Sequence, residues 1–113
     1  MQIKYGEIWW VDFSGSQGHE FQKIRPVLVI ESNKQLSITT IISMMPVTHQ
    51  KKNQHEDDIF IAKNDKNNLE YDSILKVHHI LSYDISRFKK KLGETDEKIL
   101  SQIKEYLKKH FGI

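Results

Sequence analysis

The chain contains no cysteine. That excludes a disulfide scaffold, a thiol nucleophile and a cysteine-based zinc site. Arginine is scarce: Arg25 and Arg87 stand alone among 17 basic residues. Long apolar runs are missing too, and no stretch approaches the roughly 20 residues of a membrane span. The first residues, Met1 to Glu7, have neither the basic n-region nor the apolar h-region of a signal peptide. A soluble cytoplasmic protein without a membrane partner is therefore expected. Charge of one sign is also in short supply. The 17 basic residues face 15 acidic ones, a net charge of +2, so any nucleic-acid contact must come from where charges sit. With 113 residues the chain is too short for a doubly wound nucleotide-binding fold or an α/β barrel. One domain over residues 1–113 is expected. Hydrophobic residues are 38% of the total, enough for one core with little surplus, and burial in a homodimer fits that shortage.

What is present reads as short strands and one helix. Gly6 to Phe13, with Trp9, Trp10, Ile8 and Val11, has strand composition. Ser14 to Ile24 carries two glycines and no apolar period, which marks a long loop of the kind that often carries function. Arg25-Pro26 opens a strand over Val27 to Ile30. Asn33 to Leu36 fits one helical turn. Thr39 to Met45 is a third strand, closed by Pro46-Val47-Thr48. His49 to Asp57 is a polar loop, Ile59 to Ile61 a fourth strand, Lys63 to Asn68 a turn, and Ser73 to Val77 a fifth strand. A short helix over Asp84 to Phe88 and a basic edge segment over Lys89 to Leu92 follow. The spacing of Ile99, Leu100, Ile103, Tyr106, Leu107 and Phe111 predicts an amphipathic helix from Thr95 to Phe111. Thr95 is its expected cap and Gly112 its stop. A small barrel with a covering helix accommodates this order.

Few side chains here suggest chemistry. An arginine at a loop-to-strand junction suits bidentate phosphate binding, although an exposed arginine is more often a surface ion pair. Thr48 offers a hydroxyl at a strand end, a phosphate donor or merely a turn-capping group. His19 in Gly18-His19-Glu20 titrates near neutral pH or is an ordinary loop histidine. His78 and His79 are adjacent at a strand end, so alternation sends them to opposite faces and they do not share an ion. The spacing of His55, Asp57 and Asp58 matches no metal-ligand pattern, and no metal is expected. Lys51-Lys52 and Lys89-Lys90-Lys91 are solvated faces or a phosphate-tracking rim. Trp9, Phe21, Phe60, Tyr71 and Tyr83 are available to stack bases or to fill the core.

Taken together these segments resemble the MazF/PemK toxin family. The carrying motifs are Gly6-Glu7-Ile8-Trp9, Gly18-His19-Glu20, Arg25-Pro26-Val27-Leu28-Val29-Ile30, Pro46-Val47-Thr48, Asp72-Ser73-Ile74-Leu75 and Ser82-Tyr83-Asp84. They run in order over nearly the whole chain. The resemblance implies a mainly β fold, an SH3-like barrel with a C-terminal helix, in a symmetric dimer. It implies cleavage of single-stranded RNA without metal or cofactor, arrest of translation, and neutralisation by a cognate antitoxin. Arg25 and Thr48 match the family's catalytic arginine and threonine, and His19 matches the loop histidine of the PemK-like branch. The chain departs from its relatives where they carry an acidic residue after the fifth strand: it has His78 there, Lys76 in place of an arginine, and Leu81 in place of another. With Arg25 and Thr48 holding the phosphate, His19 and His78 are the expected acid and base. Glu20, Phe21, Lys23, Lys51, Lys52, Lys76 and His79 are the expected RNA contacts. A non-catalytic module on the same barrel, a CcdB-like gyrase poison or a plain RNA binder, is the competing expectation.

Overall fold

The computed structural model describes residues 2–14, 23–50, 52 and 54–113. Seven strands run in chain order: β1 (Glu7–Asp12), β2 (Ile24–Val29), β3 (Ile41–Thr48), β4 (Ile59–Ile61), β5 (Ser73–Leu75), β6 (Leu81–Asp84) and β7 (Phe88–Glu94). A single helical turn, α1 (Asn33–Leu36), separates β2 from β3, and α2 (Glu97–Phe111) ends the fold. The strands pair antiparallel in the order β4-β5-β3-β2-β1-β7, with β6 on the first half of β3.

The two ends of this path meet. The Glu94 amide of β7 donates to the Lys66 carbonyl (3.1 Å) and Asn68 Nδ2 to the Leu92 carbonyl (2.9 Å), in the turn after β4. The approach needs glycine at 93, because a Cβ there would stand 2.4 Å from the Asn67 carbonyl oxygen. The outcome is the expected barrel.

Alternation explains why the strands read as continuous apolar runs. Trp9, Val11, Val27, Val29, Ile42 and Met44 join Phe13 and Phe88 in one buried cluster. Ile8, Leu28, Met45 and Val47 face the opposite way and pack with α2 through Ile99, Leu100, Ile103 and Tyr106. A sheet covered on both faces has no polar side to display. A lone 15-residue helix is marginal in water, so α2 depends on this seam, where each fully buried side chain contributes about 1.5–3 kcal/mol.

Several boundaries differ from the sequence expectation for local reasons. Pro46 lies inside β3, which continues to Thr48. β6 pairs only as far as Met44 and β5 only from Val47, so Pro46 sits in the gap where no ladder N–H is needed. β5 stops at Leu75, and Val77-His78 form a turn. His78 and His79 are thus not successive strand residues, and the alternation argument does not apply to them. Leu81 to Asp84 form a strand, and the helical piece after it shrinks to a 3-10 turn over Ile85–Arg87 capped by Asp84. The basic segment is an edge strand, β7, paired with β1. Asp96 rather than Thr95 caps α2, accepting the Ile99 amide at 2.9 Å. Thr95 is buried, its amide bound to the Gly6 carbonyl. Gly112 ends the helix in the left-handed region (φ 70°).

Candidate active site

β2 and β3 pair through Val27↔Pro46 and Leu28↔Met45. The same antiparallel register, continued along both strands, carries Arg25 toward Thr48. Both side chains line one groove of about 460 Å³, together with Trp10, Lys23, His49 and Tyr71.

The hydrogen bonds at this groove leave donors to spare. Thr48 Oγ1 accepts the Gln50 amide at 3.1 Å, so its O–H still has a proton to give. Arg25 is half-buried, and its Nε is buried without a hydrogen-bond partner among the described residues. A buried cationic donor left unpaired is costly, and an anion with two oxygens matches the guanidinium fork. Lys23 adds a second, exposed positive charge at the mouth. His49 and Tyr71 pack ring against ring on one wall, centroids 4.6 Å apart and tilted by 33°. The groove therefore offers a cation, a hydroxyl, an imidazole and an aromatic surface to a phosphate-bearing chain.

Sequence reasoning did not single out His49 or Trp10 as groove residues. For Trp10 the signal was present, since its neighbour Trp9 is a core residue that donates its indole N–H to Glu7 (2.9 Å) and alternation turns Trp10 the other way. For His49 the only cue was its place next to Thr48.

Four of the other expected residues, His78, Lys76, His79 and Lys52, do not line this groove. His78 sits past the end of β5, its Nε2 2.9 Å from His55 Nδ1 and its Nδ1 3.1 Å from the Tyr106 hydroxyl. It does not line the groove, because β5 runs antiparallel to β3 and leads away from Thr48. Lys76 is held by Asp58 at 2.7 Å, with the Lys76 side chain only 12% exposed. That ion pair occupies it within the fold, and it does not line the groove. His79 is half-buried, its amide bound to the Lys76 carbonyl, and does not line the groove either. Lys52 is exposed in a turn. His19, Glu20, Phe21 and Lys51 lie outside the described residues. The second arginine is structural: Arg87 Nη1 donates to the carbonyls of Asp12 (3.2 Å) and Ser14 (2.9 Å), and its guanidinium lies over the Tyr83 ring.

The structure thus defines a small β-barrel with one helix-covered face and a groove at the β2–β3 strand ends lined by Arg25 and Thr48. The sequence profile of the family described as PemK-like, MazF-like toxin of type II toxin-antitoxin system matches residues 4–111, and the chain belongs to that family. It is 28% identical over 109 residues to the endoribonuclease EndoA of Bacillus subtilis, covering 95% of this chain and 92% of that protein. The crystal structure of MazF from Deinococcus radiodurans superposes with a TM-score of 0.81 at 23% identity, covering 98% and 97% of the two chains. An endoribonuclease in complex with its cognate antitoxin, from a mycobacterial species, superposes with a TM-score of 0.77 at 14% identity, covering 99% and 97%. No helix among the described residues is long and apolar enough to cross a membrane.

Proposed function

We propose that this toxin is a metal-independent endoribonuclease that cuts single-stranded RNA in the cytoplasm, as a homodimer, until a cognate antitoxin covers it. The observation that carries the reading is the buried Arg25 Nε, unpaired among the described residues, in one groove with a Thr48 hydroxyl whose proton no described residue accepts. Family membership and the endoribonuclease relative support the same chemistry.

The reaction these groups suit begins at the ribose 2′-OH. Its oxygen attacks the adjacent phosphorus while a base takes its proton. The P–O2′ bond forms, the P–O5′ bond breaks, and an acid protonates the departing O5′. The products are a 2′,3′-cyclic phosphate and a 5′-hydroxyl. Arg25 stabilises the two non-bridging oxygens of the crowded intermediate through its fork, and Thr48 donates a further hydrogen bond. A guanidinium of pKa above about 12 is a poor proton carrier. The described imidazole on the groove wall is His49, and we assign it one of the proton transfers. The second falls to a group outside the described residues, for which His19 of the loop is the candidate. His78 has no part in this scheme.

The experiment is incubation with single-stranded RNA in EDTA, followed by end analysis. Cleavage with 2′,3′-cyclic phosphate ends is expected. Salt-sensitive binding without cleavage would replace the nuclease with an RNA-binding module. The pH–rate profile of the wild type should show an inflection between about 5 and 8. His49→Gln should alter it, removing the limb that His49 contributes, and an unchanged profile in that variant would take His49 out of the reaction. Sedimentation at twice the chain mass checks the dimer.

A further inference from the structure

We propose that His55, Asp57 and His78 form a binding site for a divalent first-row cation, zinc foremost, at the opposite end of the β4–β5 pair. The hairpin itself brings the ligands together. Ile59 at the start of β4 pairs with Leu75 at the end of β5, so the residues just before β4 and just after β5 share one end of the barrel. His55 and Asp57 come from the first segment and His78 from the second.

The ligand atoms of these three side chains lie within 4.8 Å of one another. His78 Nε2 is 2.9 Å from His55 Nδ1 and 3.5 Å from Asp57 Oδ2, and His55 Nδ1 is 3.7 Å from the same oxygen. Ligands at about 2.0–2.1 Å from a tetrahedral zinc stand about 3.4 Å apart. The triangle has that size, and a single ion just off its plane reaches all three corners. Two imidazoles and one carboxylate leave a fourth position open to solvent, in the manner of zinc sites that keep a water.

A second observation lies behind the ligands. A metal-bound histidine usually donates its other ring N–H to a fixed acceptor, which orients the ring. His78 Nδ1 is 3.1 Å from Tyr106 Oη, and that oxygen is 2.8 Å from His110 Nδ1. In the loaded site His78 Nδ1–H donates to Tyr106, and Tyr106 O–H donates to His110. Asp57 is supported in the same way: Lys109 Nζ lies 3.0 Å from its Oδ1 and 3.2 Å from its Oδ2.

The unloaded cluster is poised differently. The Asp57 amide donates to His55 Nδ1 (3.1 Å), so that nitrogen is an acceptor and the proton between the two rings sits on His78 Nε2. On loading, the exposed His55 ring turns its lone pair from that amide to the ion, and the ring centroids, 3.9 Å apart when unloaded, separate. The His78 proton is then on Nδ1. The ion ties the segment before β4 to the turn after β5 and, through Tyr106, to α2. This site is independent of the nuclease reading, because its residues line no part of the groove.

The test uses the full-length chain stripped of metal and titrated with Zn²⁺ by calorimetry and with Co²⁺ by absorbance. One ion per chain is expected, with the strong visible bands of low-coordinate cobalt. His55→Gln and His78→Gln should each weaken binding by at least about 10-fold, and Tyr106→Phe by about 10-fold. In thermal unfolding the wild type should gain about 5 °C or more at a hundredfold excess of zinc over its Kd, and the His55→Gln/His78→Gln double variant should gain nothing. All three ligands lie at the surface, and circular dichroism checks that the variants fold. Equal zinc binding by wild type and double variant overturns the proposal. So does the absence of one-to-one binding by the wild type up to about 100 µM zinc. Cleavage in EDTA tests the nuclease alone, so the two proposals fail separately.

Discussion

In the groove, Arg25 keeps a buried Nε without a partner among the described residues, and Thr48 keeps a hydroxyl proton to spare. Past the far end of β5, both ring nitrogens of His78 meet partners, and Tyr106, His110, His55 and Asp57 extend one connected network. Both places are built where strands end and loops begin. The difference lies in what the fold has already satisfied. Unpaired donors are tolerated where a ligand completes them, while a closed network holds its own shape and gives way only to something that binds several of its members at once. The two arginines repeat the contrast on a smaller scale, since Arg87 spends its Nη1 on the carbonyls that end β1.

Breaking the groove should give the largest effect. Arg25→Lys removes the fork but keeps the charge, and kcat/KM for RNA should fall by about 10²–10³ with little loss of stability. Arg87→Lys should do the reverse, costing about 1 kcal/mol of stability with cleavage retained. Initial rates on a short RNA, with thermal unfolding of both variants, decide it. Near-wild-type cleavage by Arg25→Lys would remove this arginine from the chemistry. Thr48→Val comes next, with an expected loss of about 10-fold, while Thr48→Ser keeps the hydroxyl and most of the rate. If Ser fails as Val does, the hydroxyl alone does not account for the loss, and the threonine methyl is also needed to hold it in place.

The ranking also shows what was legible in the chain. Arg25 and Thr48 were readable because one opens and the other ends a strongly apolar strand, and pairing two neighbouring antiparallel strands brings such ends together. The strands themselves were legible from their β-branched and aromatic runs. The extent of β3 was not, because Pro46 looks like a stop unless it is known that two different strands share that edge and leave a gap at Pro46. The cap of α2 was missed by one residue, Thr95 and Asp96 being equally good cap types; burial of Thr95 against Gly6 decides between them. His55 and His78 are 23 residues apart. No local spacing reports such a pair, and only the register of β4 on β5 does.

A middle-sized effect is expected at Glu7, which sharpens the contrast as a satisfied polar group deep in the fold. Its carboxylate accepts from the Lys4 amide (2.8 Å) and the Trp9 indole (2.9 Å) and pairs with Lys91 (3.0 Å). Burial pushes its pKa up, but the bonds from Trp9, Lys4 and Lys91 outweigh it, and the carboxyl titrates below its ordinary value. Its contribution is therefore present above about pH 4.3, the unfolded value, and is lost as pH falls through the lower folded one. Lys91 is raised, chiefly by the hydrogen bond to Glu7, so its share is present below about pH 10.4 and is lost as pH climbs through the higher folded value. Glu7→Gln should cost about 1–2 kcal/mol near neutral pH. It should also flatten the acid limb of a stability–pH curve measured by denaturant unfolding. An unchanged acid limb would mean that another carboxylate controls it.

The smallest effect is expected at Tyr106, in the absence of added metal. Its phenol pKa is raised, first by burial and then by the nearby Asp57 carboxylate, so the group stays a neutral O–H around neutral pH. Tyr106→Phe keeps the ring in the seam beneath α2 and removes only the oxygen that links His78 to His110. Those two imidazoles lie at the surface and take water in its place, so the loss should be about 1 kcal/mol or less. At Glu7 the partners include the buried Trp9 indole, for which water is no ready substitute, and the cost is correspondingly higher. Urea unfolding of the two variants side by side measures the difference. A Tyr106→Phe loss as large as that of Glu7→Gln would show that the histidine network is cooperative even without an ion, each bond strengthening the next, and that α2 is locked to the β4–β5 end by polar contacts as firmly as by its apolar stripe.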